Sequence, residues 1–542
     1  MRKPLLSACL AVLAAAALPV VAVAHPERLT SFPDHTRGEL PDVRHRGPSI
    51  VVCKPDAAAQ IRRSWRGRGP QRTRIRAKRL RMLDRCRFEH IQQAVDAARS
   101  GTRILVMPGV YREEPSRAVP VNDPSCSLDD PKYWEQTDAG HGIEGRVPTY
   151  RFHLECPNSR NLIQVMGDPD DTNAPPRGGC EVKCDLQILG MGRQARHTLI
   201  EGDRRKADVI RADRADGFVV RNLATEQGEF NGIDVVETNG FRVEKVVSRF
   251  NQNYGVLTFT SDNGLYDNVE AYANGDSGIY PGSGPEGRCE RYGIVVQDVR
   301  SYGNVLGFSG TAGNGTWIRD SQFHDNATGI SNDSFASGHP GMPQDCSRWT
   351  GNDVYSNNVN FFADNGPRCR ATSFEERPKE LVCPQFQVPV GSGFIFYGAN
   401  KNLIRDNRIW DNWRSGLRLF YVPAAIRGEA EPEKQLDTSN ANRIVDNLFG
   451  VAPDGFRAPN GEDVTWDSQG IGNCWEDNRT APGVGLTSTP DHLPRCDGGG
   501  SSSPVPNPVV SAGEVPCATW DPHDNPDPIG CTWFTTPRRP QS

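Results

Sequence analysis

Six side chains in the middle of this sequence carry functional groups suited to acid–base chemistry: Asp234, Asp276, Tyr280, Asp333, His339 and Arg418. Either His339 or Arg418 is a candidate base, and Tyr280 a candidate acid, for moving a proton at a carbon next to a carboxylate. The oxygen ligands that Ca²⁺ prefers are offered by Asp234, Asp276 and Asp333. Glycoside hydrolysis would instead need two carboxylates flanking one bond, and Asp276 and Asp333 are candidates for that pair. Every one of these hypotheses needs a fold that brings distant residues together.

A glycine-headed phrase repeats through the same region with a fixed period. The glycines form two interleaved series, Gly217, Gly240, Gly264 and Gly232, Gly255, Gly278. Both series step by 23 or 24 residues, and apolar and polar residues alternate after each glycine. One repeat of this size cannot bury a core, so successive repeats must stack as the coils of a solenoid. The sequence therefore predicts an all-β chain with clear coils over residues 198–450.

Asparagines in the turns keep register with these glycines. Some precede a strand glycine by one, three or four residues and others end the second strand series, namely Asn222, Asn239, Asn251, Asn263, Asn268, Asn274, Asn304, Asn314, Asn326, Asn407, Asn412 and Asn447. In stacked coils such residues would lie roughly 4.8 Å apart, and their side-chain amides would bond to one another. The alternative is that these asparagines serve only as turn residues with positive φ.

The insertions between repeats distinguish one face of the solenoid from the others. Extra residues follow Tyr280, Asn332 and Phe420, and all three insertions leave the same strand series. Stacked side by side, they would form a wall along one face. Alternation of side chains directs Asp234, Tyr280 and Arg418 outward on that face, with Asp276, Asp333 and His339 at its edge. We therefore predict a groove there; decorated loops without a site are the alternative.

The second strand series predicts a cationic and aromatic face. Its outward residues are Arg221, Arg242, Tyr266, Trp317 and Arg319. Guanidinium and aromatic groups together suit the binding of an anionic glycan. An ordinary solvated sheet face is the alternative interpretation.

The N-terminal region is predicted to contain three different segments. Residues 1–24 have the charged start, apolar run and small-residue end of a cleaved signal peptide; a retained lipid anchor at Cys9 is the alternative. Residues 25–85 form an irregular segment with a basic arm, because positions 61–87 carry twelve Lys/Arg and one acid, Asp84. This arm either binds charged polymers or is a solvated, poorly ordered insertion. Apolar residues at helical spacing from Ile91 to Ala98 predict a helix that caps the solenoid.

Cysteine usage points to an oxidising compartment. Without Cys9 the chain has fourteen cysteines, which allows seven disulfides in an exported protein. Plausible local pairs join residues 53 and 86, 180 and 184, 289 and 346, 369 and 383, 474 and 496, and 517 and 531. The solenoid domain is predicted over 86–496, a Gly/Ser/Pro linker over 497–516 and a disulfide-stapled tail over 517–542.

Taken together, the cap signature from Ile91 to Tyr111, the period of 22 to 24 residues and the asparagine turns resemble the right-handed parallel β-helix proteins of the pectate-lyase-like superfamily. The resemblance covers residues 86–450 and is specific for fold. It implies a carbohydrate-active or a carbohydrate-binding protein, because the superfamily includes lyases, epimerases, hydrolases and non-catalytic surface proteins. Most catalytic motifs of these families are missing. Asp521-Pro522-His523-Asp524 matches a mannuronan-epimerase signature, but it lies in the tail, where a coincidental turn is the simpler interpretation.

The sequence thus predicts a secreted, monomeric β-helix protein that acts on an extracellular, acidic polysaccharide as a lyase or epimerase. A non-catalytic glycan-binding surface protein and a glycoside hydrolase are the alternatives. Ca²⁺ is the one cofactor considered. No nucleic-acid partner is expected, and no membrane span is expected after signal cleavage.

Overall fold

The computed structural model describes residues 28–67, 69–112, 126–137, 145–170, 179–335, 339–427, 429, 431–435, 437–501, 514, 517 and 530–541. The predicted signal peptide, most of the predicted linker and the motif at 521–524 lie outside the described residues. Of the helices within the described ranges, none has the length and apolar character needed to cross a membrane.

Three parallel sheets form the body of the molecule. Sheet 1 has eleven strands, Asn161–Met166, Asp208–Asp213, Asn231–Val236, Val256–Phe259, Ser277–Gly282, Leu306–Ser309, Thr328–Asp333, Ser392–Tyr397, Ser415–Phe420, Val464–Trp466 and Ser488–Thr489. Sheet 2 has thirteen strands, Ser49–Val52, Cys86–Phe88, Arg103–Val106, Gln187–Gly190, Phe218–Arg221, Asn239–Glu244, Asp262–Asp267, Ile294–Gln297, Thr316–Arg319, Arg348–Thr350, Leu403–Arg405, Arg443–Val445 and Cys474–Glu476.

Sheet 3 contributes the third side of each coil. Its ten strands are Gly109–Tyr111, Thr198–Glu201, Ala224–Glu226, Val247–Arg249, Glu270–Tyr272, Arg300–Tyr302, Gln322–His324, Asp353–Tyr355, Arg408–Trp410 and Leu448–Phe449. Each coil passes from sheet 2 through sheet 3 to sheet 1, and every strand pairs in parallel with the equivalent strand of the next coil. A separate antiparallel pair joins Trp134–Thr137 to Gly145–Pro148. The architecture confirms the predicted right-handed parallel β-helix.

Register between coils follows the apolar periodicity. On sheet 1, Ile233 pairs with Val256, Val256 with Ile279 and Ile279 with Phe308. These side chains and their equivalents on the other two sheets are buried in one continuous core. Because side chains alternate along each strand, the neighbours of these core residues are directed out of the coil.

Asparagine ladders run through the turns, as predicted. The longest joins seven side-chain amides by hydrogen bonds of 2.8 to 3.2 Å, in the order Asn251, Asn274, Asn304, Asn326, Asn357, Asn412 and Asn460. A second joins Asn352, Asn407, Asn447 and Asn478. By contrast, Asn222 and Asn268 occupy corners with φ of 56° and 55°. These two asparagines therefore serve as turn residues with positive φ, which was the alternative to a ladder.

Helices lie mainly at the N-terminal end and in the insertions. Their bounds are Ala57–Ser64, Pro70–Met82, Ile91–Ala97, Tyr150–Glu155, Pro157–Arg160, Phe361–Ala371 and Ala424–Arg427. Ile91, Ala94 and Val95 of the third helix are buried in the main core and pack near the first strands, which fits the predicted cap. The basic arm is not an unstructured insertion, because its described residues form most of the first two helices.

Seven disulfides tie down the insertions and both ends. All six predicted pairs are present, and the seventh joins Cys126 to Cys156. This number of disulfides is typical of proteins that mature in an oxidising compartment.

The first and last segments of the described chain lie against the coils. Near the N-terminus, the backbone oxygens of Asp34 and Pro41 accept hydrogen bonds from Asn239 and Arg242 of sheet 2. Near the C-terminus, Trp533 and Phe534 are buried against the outer face of sheet 1 in a second apolar cluster. The ends therefore cover parts of both sheets that the repeat pattern predicts to be outward-facing.

Candidate functional site

The candidate site is a cluster of two tyrosines, two aspartates and a histidine on the outer face of sheet 1. Tyr280 faces outward from the strand Ser277–Gly282 because its neighbour Ile279 fills the core. Its ring stacks on that of Tyr254 with centroids 4.7 Å apart and planes 11° apart. Asp276 directly precedes the strand, and its carboxyl group is hydrogen-bonded to the Tyr254 hydroxyl.

A histidine from the insertion after Asn332 lies beside the phenol group of Tyr280. The Tyr280 hydroxyl and His339 Nε2 lie 3.1 Å apart, at hydrogen-bond distance. The imidazole packs edge-on to Phe259, with ring centroids 5.5 Å apart. The insertion that the sequence places after Asn332 therefore delivers His339 to Tyr280, as the predicted wall requires.

Asp333 lies at the end of the strand Thr328–Asp333 and is held by three donors. Its carboxylate accepts hydrogen bonds from Thr311 Oγ1 at 2.9 Å, Ser331 Oγ at 2.7 Å and the Phe335 amide at 3.1 Å. Thr311 is also hydrogen-bonded to the Tyr280 side chain. Thr311 thus links Asp333 to Tyr280, and four of the six predicted catalytic residues belong to one cluster.

Burial gives this cluster unusual protonation properties. It raises the pKa of Asp276 to about 7; the hydrogen bond from Tyr254 acts in the opposite direction, and the nearby Asp333 charge adds to the rise. Burial also raises the pKa of Asp333 and holds the pKa of both tyrosines well above their usual value. Near neutral pH the cluster therefore contains a carboxyl group close to half-ionised and two protonated phenols.

The cluster is enclosed. Tyr254, Tyr280, Asp276, Asp333 and His339 are each exposed by 7% or less. Beside Asp333 the structure has a cavity of about 20 Å³, which is bordered by Phe335, Tyr397 and Trp533 among others. The polar groups of the cluster are therefore shielded from solvent in this structure.

Asp234 does not belong to this cluster. It lies two coils before Tyr280, and its carboxylate accepts a hydrogen bond of 2.6 Å from Arg211. Arg211 belongs to a buried ion network that also contains Arg28, Arg214, Asp168, Asp213 and Glu237. Asp234 is directed out of the coil, as predicted, but it is fully buried, and the N-terminal segment and the helix Tyr150–Glu155 contribute Arg28 and Tyr150 to the surroundings of this ion network.

Arg418 is also separate from the cluster. It lies four strands beyond Tyr280 on sheet 1. Its guanidinium donates to Glu514 at 2.7 Å and to the Tyr397 hydroxyl at 3.1 Å. Arg418 therefore binds the segment just before the C-terminal tail, and the geometry gives it no access to the Tyr280–His339 pair.

The three aspartates do not fit a shared calcium ion. Asp234 is bound by Arg211, and Asp333 is bound by hydroxyl and amide donors. Within the described residues, the one group of three potential ligands close enough to share an ion is Cys289, Asp345 and Cys346. Those cysteines are joined in a disulfide and are not thiolate ligands.

The predicted second face is mostly confirmed as outward-facing, with one correction. Arg221 pairs with Glu244, Arg242 bonds to the N-terminal segment, and Arg319 donates to Gln297 and lies over the Trp317 ring. These side chains are half-buried and bind protein groups.

The outward prediction for Tyr266 is wrong. Its side chain is fully buried and donates to Thr258 inside the coil. Gly240 and Gly264 are 24 residues apart while the coil step is 23, so Gly264 pairs with Phe241 and Tyr266 with Val243. A shift of one residue moves a strand's side chains to the other face.

Two features escaped the sequence interpretation. Tyr254 and Thr311 lie outside the strands, so the alternation rule gave no signal for them. An aromatic ladder on sheet 3 did leave a signal, in the third residue of the short strands EAY, RSY, QFH, DVY and RIW. Its rings stack at 4.3 to 5.2 Å in the order Tyr272, Tyr302, His324, Tyr355 and Trp410.

No protein-family model matches this chain, and no curated protein sequence does. Among solved structures, it is similar to the A-module of the mannuronan C-5 epimerase AlgE4 from Azotobacter vinelandii, at 15% identity and a TM-score of 0.41 over 73% of this chain and 92% of that one. An alginate lyase from Paenibacillus sp. str. FPU-7 is similar at 12% identity and a TM-score of 0.32, over 73% of this chain and 94% of that one.

A third similar structure is the DFA-IIIase from Arthrobacter chlorophenolicus A6, at 10% identity and a TM-score of 0.38 over 71% of this chain and 84% of that one. At these identities and TM-scores, the similarities carry no argument about what this chain does.

Proposed function

We propose that this chain is a secreted enzyme that acts on an acidic polysaccharide by moving a proton next to a carboxylate, as a lyase or an epimerase. The observation that supports it best is the joint position of Asp276, Tyr254, Tyr280 and His339 on the insertion-bearing face of the coil. Acid–base catalysis is most efficient when the pKa of the catalytic group lies near the working pH, and Asp276 has a pKa of about 7.

Asp276 is the proposed base. In its ionised form it takes the proton from the ring carbon that bears the carboxylate. Tyr280, protonated and hydrogen-bonded to His339, is the proposed acid. In a lyase, the bond from the neighbouring carbon to the glycosidic oxygen breaks, a carbon–carbon double bond forms, and that oxygen receives the Tyr280 proton. In an epimerase, Tyr280 instead donates its proton to the same carbon from the face opposite to Asp276.

Enclosure of the cluster favours a second candidate function, a glycan-binding protein without turnover. A polar cluster that only stabilises the coil would be buried to the same degree. The cavity of about 20 Å³ beside Asp333 is too small for a sugar ring unless the surrounding residues rearrange. The two functions differ in a simple way, because one predicts a product and the other predicts none.

A product screen on acidic polysaccharides tests the proposal. Purified protein is incubated with polygalacturonate, alginate and polymannuronate between pH 5 and pH 9. A lyase produces unsaturated ends that absorb in the ultraviolet, and an epimerase changes the proton NMR spectrum without cutting the chain. New reducing ends without ultraviolet absorbance would indicate a hydrolase, and binding without any product would indicate the non-catalytic alternative.

Variants then connect the product to the cluster. Asp276→Asn and Tyr280→Phe are expected to lower turnover by roughly 100-fold or more while retaining the wild-type circular dichroism spectrum. Asp454→Asn, an exposed aspartate in another loop, is the matched control. Full turnover in both cluster variants would rule this cluster out.

A further inference from the structure

An open groove lies far from the candidate cluster, along the corner between sheets 2 and 3. Its volume is about 790 Å³. The floor follows one corner residue from each of five successive coils, Asn222, Lys245, Asn268, Asp298 and Asp320. With coils roughly 4.8 Å apart, the groove runs for about 19 Å parallel to the solenoid axis. A groove of this length and direction suits an extended polymer rather than a compact ligand.

One end of the groove is bordered by cations. The loop at 193–196 forms its wall and contributes Arg193 and Arg196. Arg196 makes a bidentate pair with Glu270, and Lys245, whose side chain is half-exposed, lies 3.5 Å from Glu244. Asp298 and Asp320 lie toward the other end. The groove therefore has a charge gradient that is positive on the N-terminal side.

A basic helix pair, formed by the helices Ala57–Ser64 and Pro70–Met82, adjoins this positive end. Ser64 Oγ lies 3.0 Å from His197 Nδ1 and accepts a hydrogen bond from the Arg193 amide at 3.1 Å. The first helix of the pair thus ends directly on the groove wall. Nine exposed cationic residues belong to the pair, to the connection between its helices and to the segment after it, namely Arg62, Arg63, Arg66, Arg72, Arg74, Lys78, Arg81, Arg85 and Arg87.

The fold holds these cations close together without neutralising them. Within the part of the chain that the structure describes, none of the nine forms an ion pair. Arg74 and Lys78 are four residues apart on one helix, a spacing at which like charges destabilise the helix by about 0.2–0.5 kcal/mol. The pair is nevertheless fixed by the Cys53–Cys86 disulfide and by packing of Trp65 and Leu80 against an apolar cluster. An anionic partner would relieve this repulsion.

We propose that the basic helix pair and the positive end of the groove form a second, non-catalytic binding site for an extended anionic polysaccharide. Guanidinium groups pair with carboxylates through two parallel hydrogen bonds, and eight of the nine exposed cations are arginines. The choice of a polysaccharide over other polyanions rests on the proposed function, because the same polymer would be held here and converted on sheet 1. The site itself needs no residue of the sheet 1 cluster.

Binding of polygalacturonate by the full-length protein tests this site. Affinity electrophoresis in gels with and without polygalacturonate gives the dissociation constant, with dextran as the neutral polymer. The triple variant Arg72→Glu, Arg74→Glu, Lys78→Glu is expected to bind roughly 3- to 100-fold more weakly. Lys245→Glu tests the groove and is expected to weaken binding by a smaller factor. Raised salt should weaken binding by the wild type much more than by the triple variant.

A control separates local from global charge effects. The triple variant Arg443→Glu, Arg457→Glu, Arg479→Glu makes the same charge change at exposed positions in the last coils, and it should bind like the wild type. Equal weakening by both triple variants, or tighter binding of double-stranded DNA than of polygalacturonate at the same salt, would overturn the proposal. Wild-type affinity in Lys245→Glu would exclude the groove.

Failure of this binding site can be distinguished from failure of the proposed enzymatic function. Binding that depends on the helix pair without any product leaves this site standing and removes the enzyme. Turnover by the wild type, together with wild-type affinity for polygalacturonate in the helix-pair triple variant, would support the enzyme and overturn this binding site.

Discussion

Replacing Asp276 by asparagine should change how the stability of the protein depends on pH. In the unfolded chain this carboxyl group loses its proton near 3.8, whereas in the folded protein it keeps it until about pH 7. Between these values the native state binds more protons than the unfolded state, so its stability falls as pH rises. At 1.36 kcal/mol per pKa unit, the wild type loses about 4 kcal/mol from this residue between pH 4 and pH 8.

Asparagine keeps the shape of the side chain but cannot ionise. The stability of Asp276→Asn relative to wild type should therefore increase across this pH range. For a chain of this length the unfolding entropy is on the order of 1 kcal/mol per kelvin, so the thermal midpoints should diverge by roughly 4 °C. Differential scanning calorimetry at pH 4, 5, 6, 7 and 8 measures the divergence.

Two comparisons make the result specific. The exposed Asp454→Asn variant should follow the wild type at every pH. Asp333→Asn removes a neighbouring charge that raises the pKa of Asp276, so it should reduce the loss of stability that the wild type shows as pH rises. If the midpoints of wild type and Asp276→Asn differ by a constant amount from pH 5 to pH 8, the raised pKa does not exist and the base assignment loses its support.

Three further predictions concern the coils and the ends of the chain. Arg28→Gln removes the cation shared by two fully buried carboxylates, each of which keeps one other arginine, and should lower stability by about 3–5 kcal/mol, whereas Arg37→Gln, at an exposed pair, should change it by less than about 1 kcal/mol. Urea unfolding compares the two variants. Asn304→Ala interrupts the longest ladder and should cost about 2–3 kcal/mol, seen as faster proteolysis of the central coils. Trp533→Ala removes a buried ring that donates to Glu514 and should expose the C-terminal tail to limited proteolysis, while an uncut tail would show that other contacts hold it.

Much of the fold could be predicted because its causes are periodic. A coil step near 23 residues, turn asparagines in register and cysteines close in sequence all leave signals within one repeat. Asn274 and Asn304, for example, occupy equivalent turns and are joined by a hydrogen bond of 2.8 Å. The same periodicity misplaced Tyr266, because a single extra residue between two glycines reverses which side chains face the core.

The site was only partly predictable, because long insertions and chain ends decide its surroundings. The predicted wall does bring His339 to Tyr280. The direct partner of Asp234 is Arg211, one coil step of 23 residues earlier. The other charged partners come from distant segments, since Arg28 lies 185 residues from Asp213 and Glu514 lies 96 residues from Arg418. No repeat relates such segments, and no local pattern shows that they neutralise an outward-facing charge.

Turnover of an acidic polysaccharide by wild type and Asp276→Asn, measured beside their thermal midpoints, tests the central claim most directly. We expect the wild type to form an unsaturated or epimerised product with activity that rises through pH 7, and the folded variant to form almost none. Equal product from both proteins, or none from the wild type on any acidic polysaccharide, would show that the Tyr254–Asp276–Tyr280–His339 cluster only stabilises the coil.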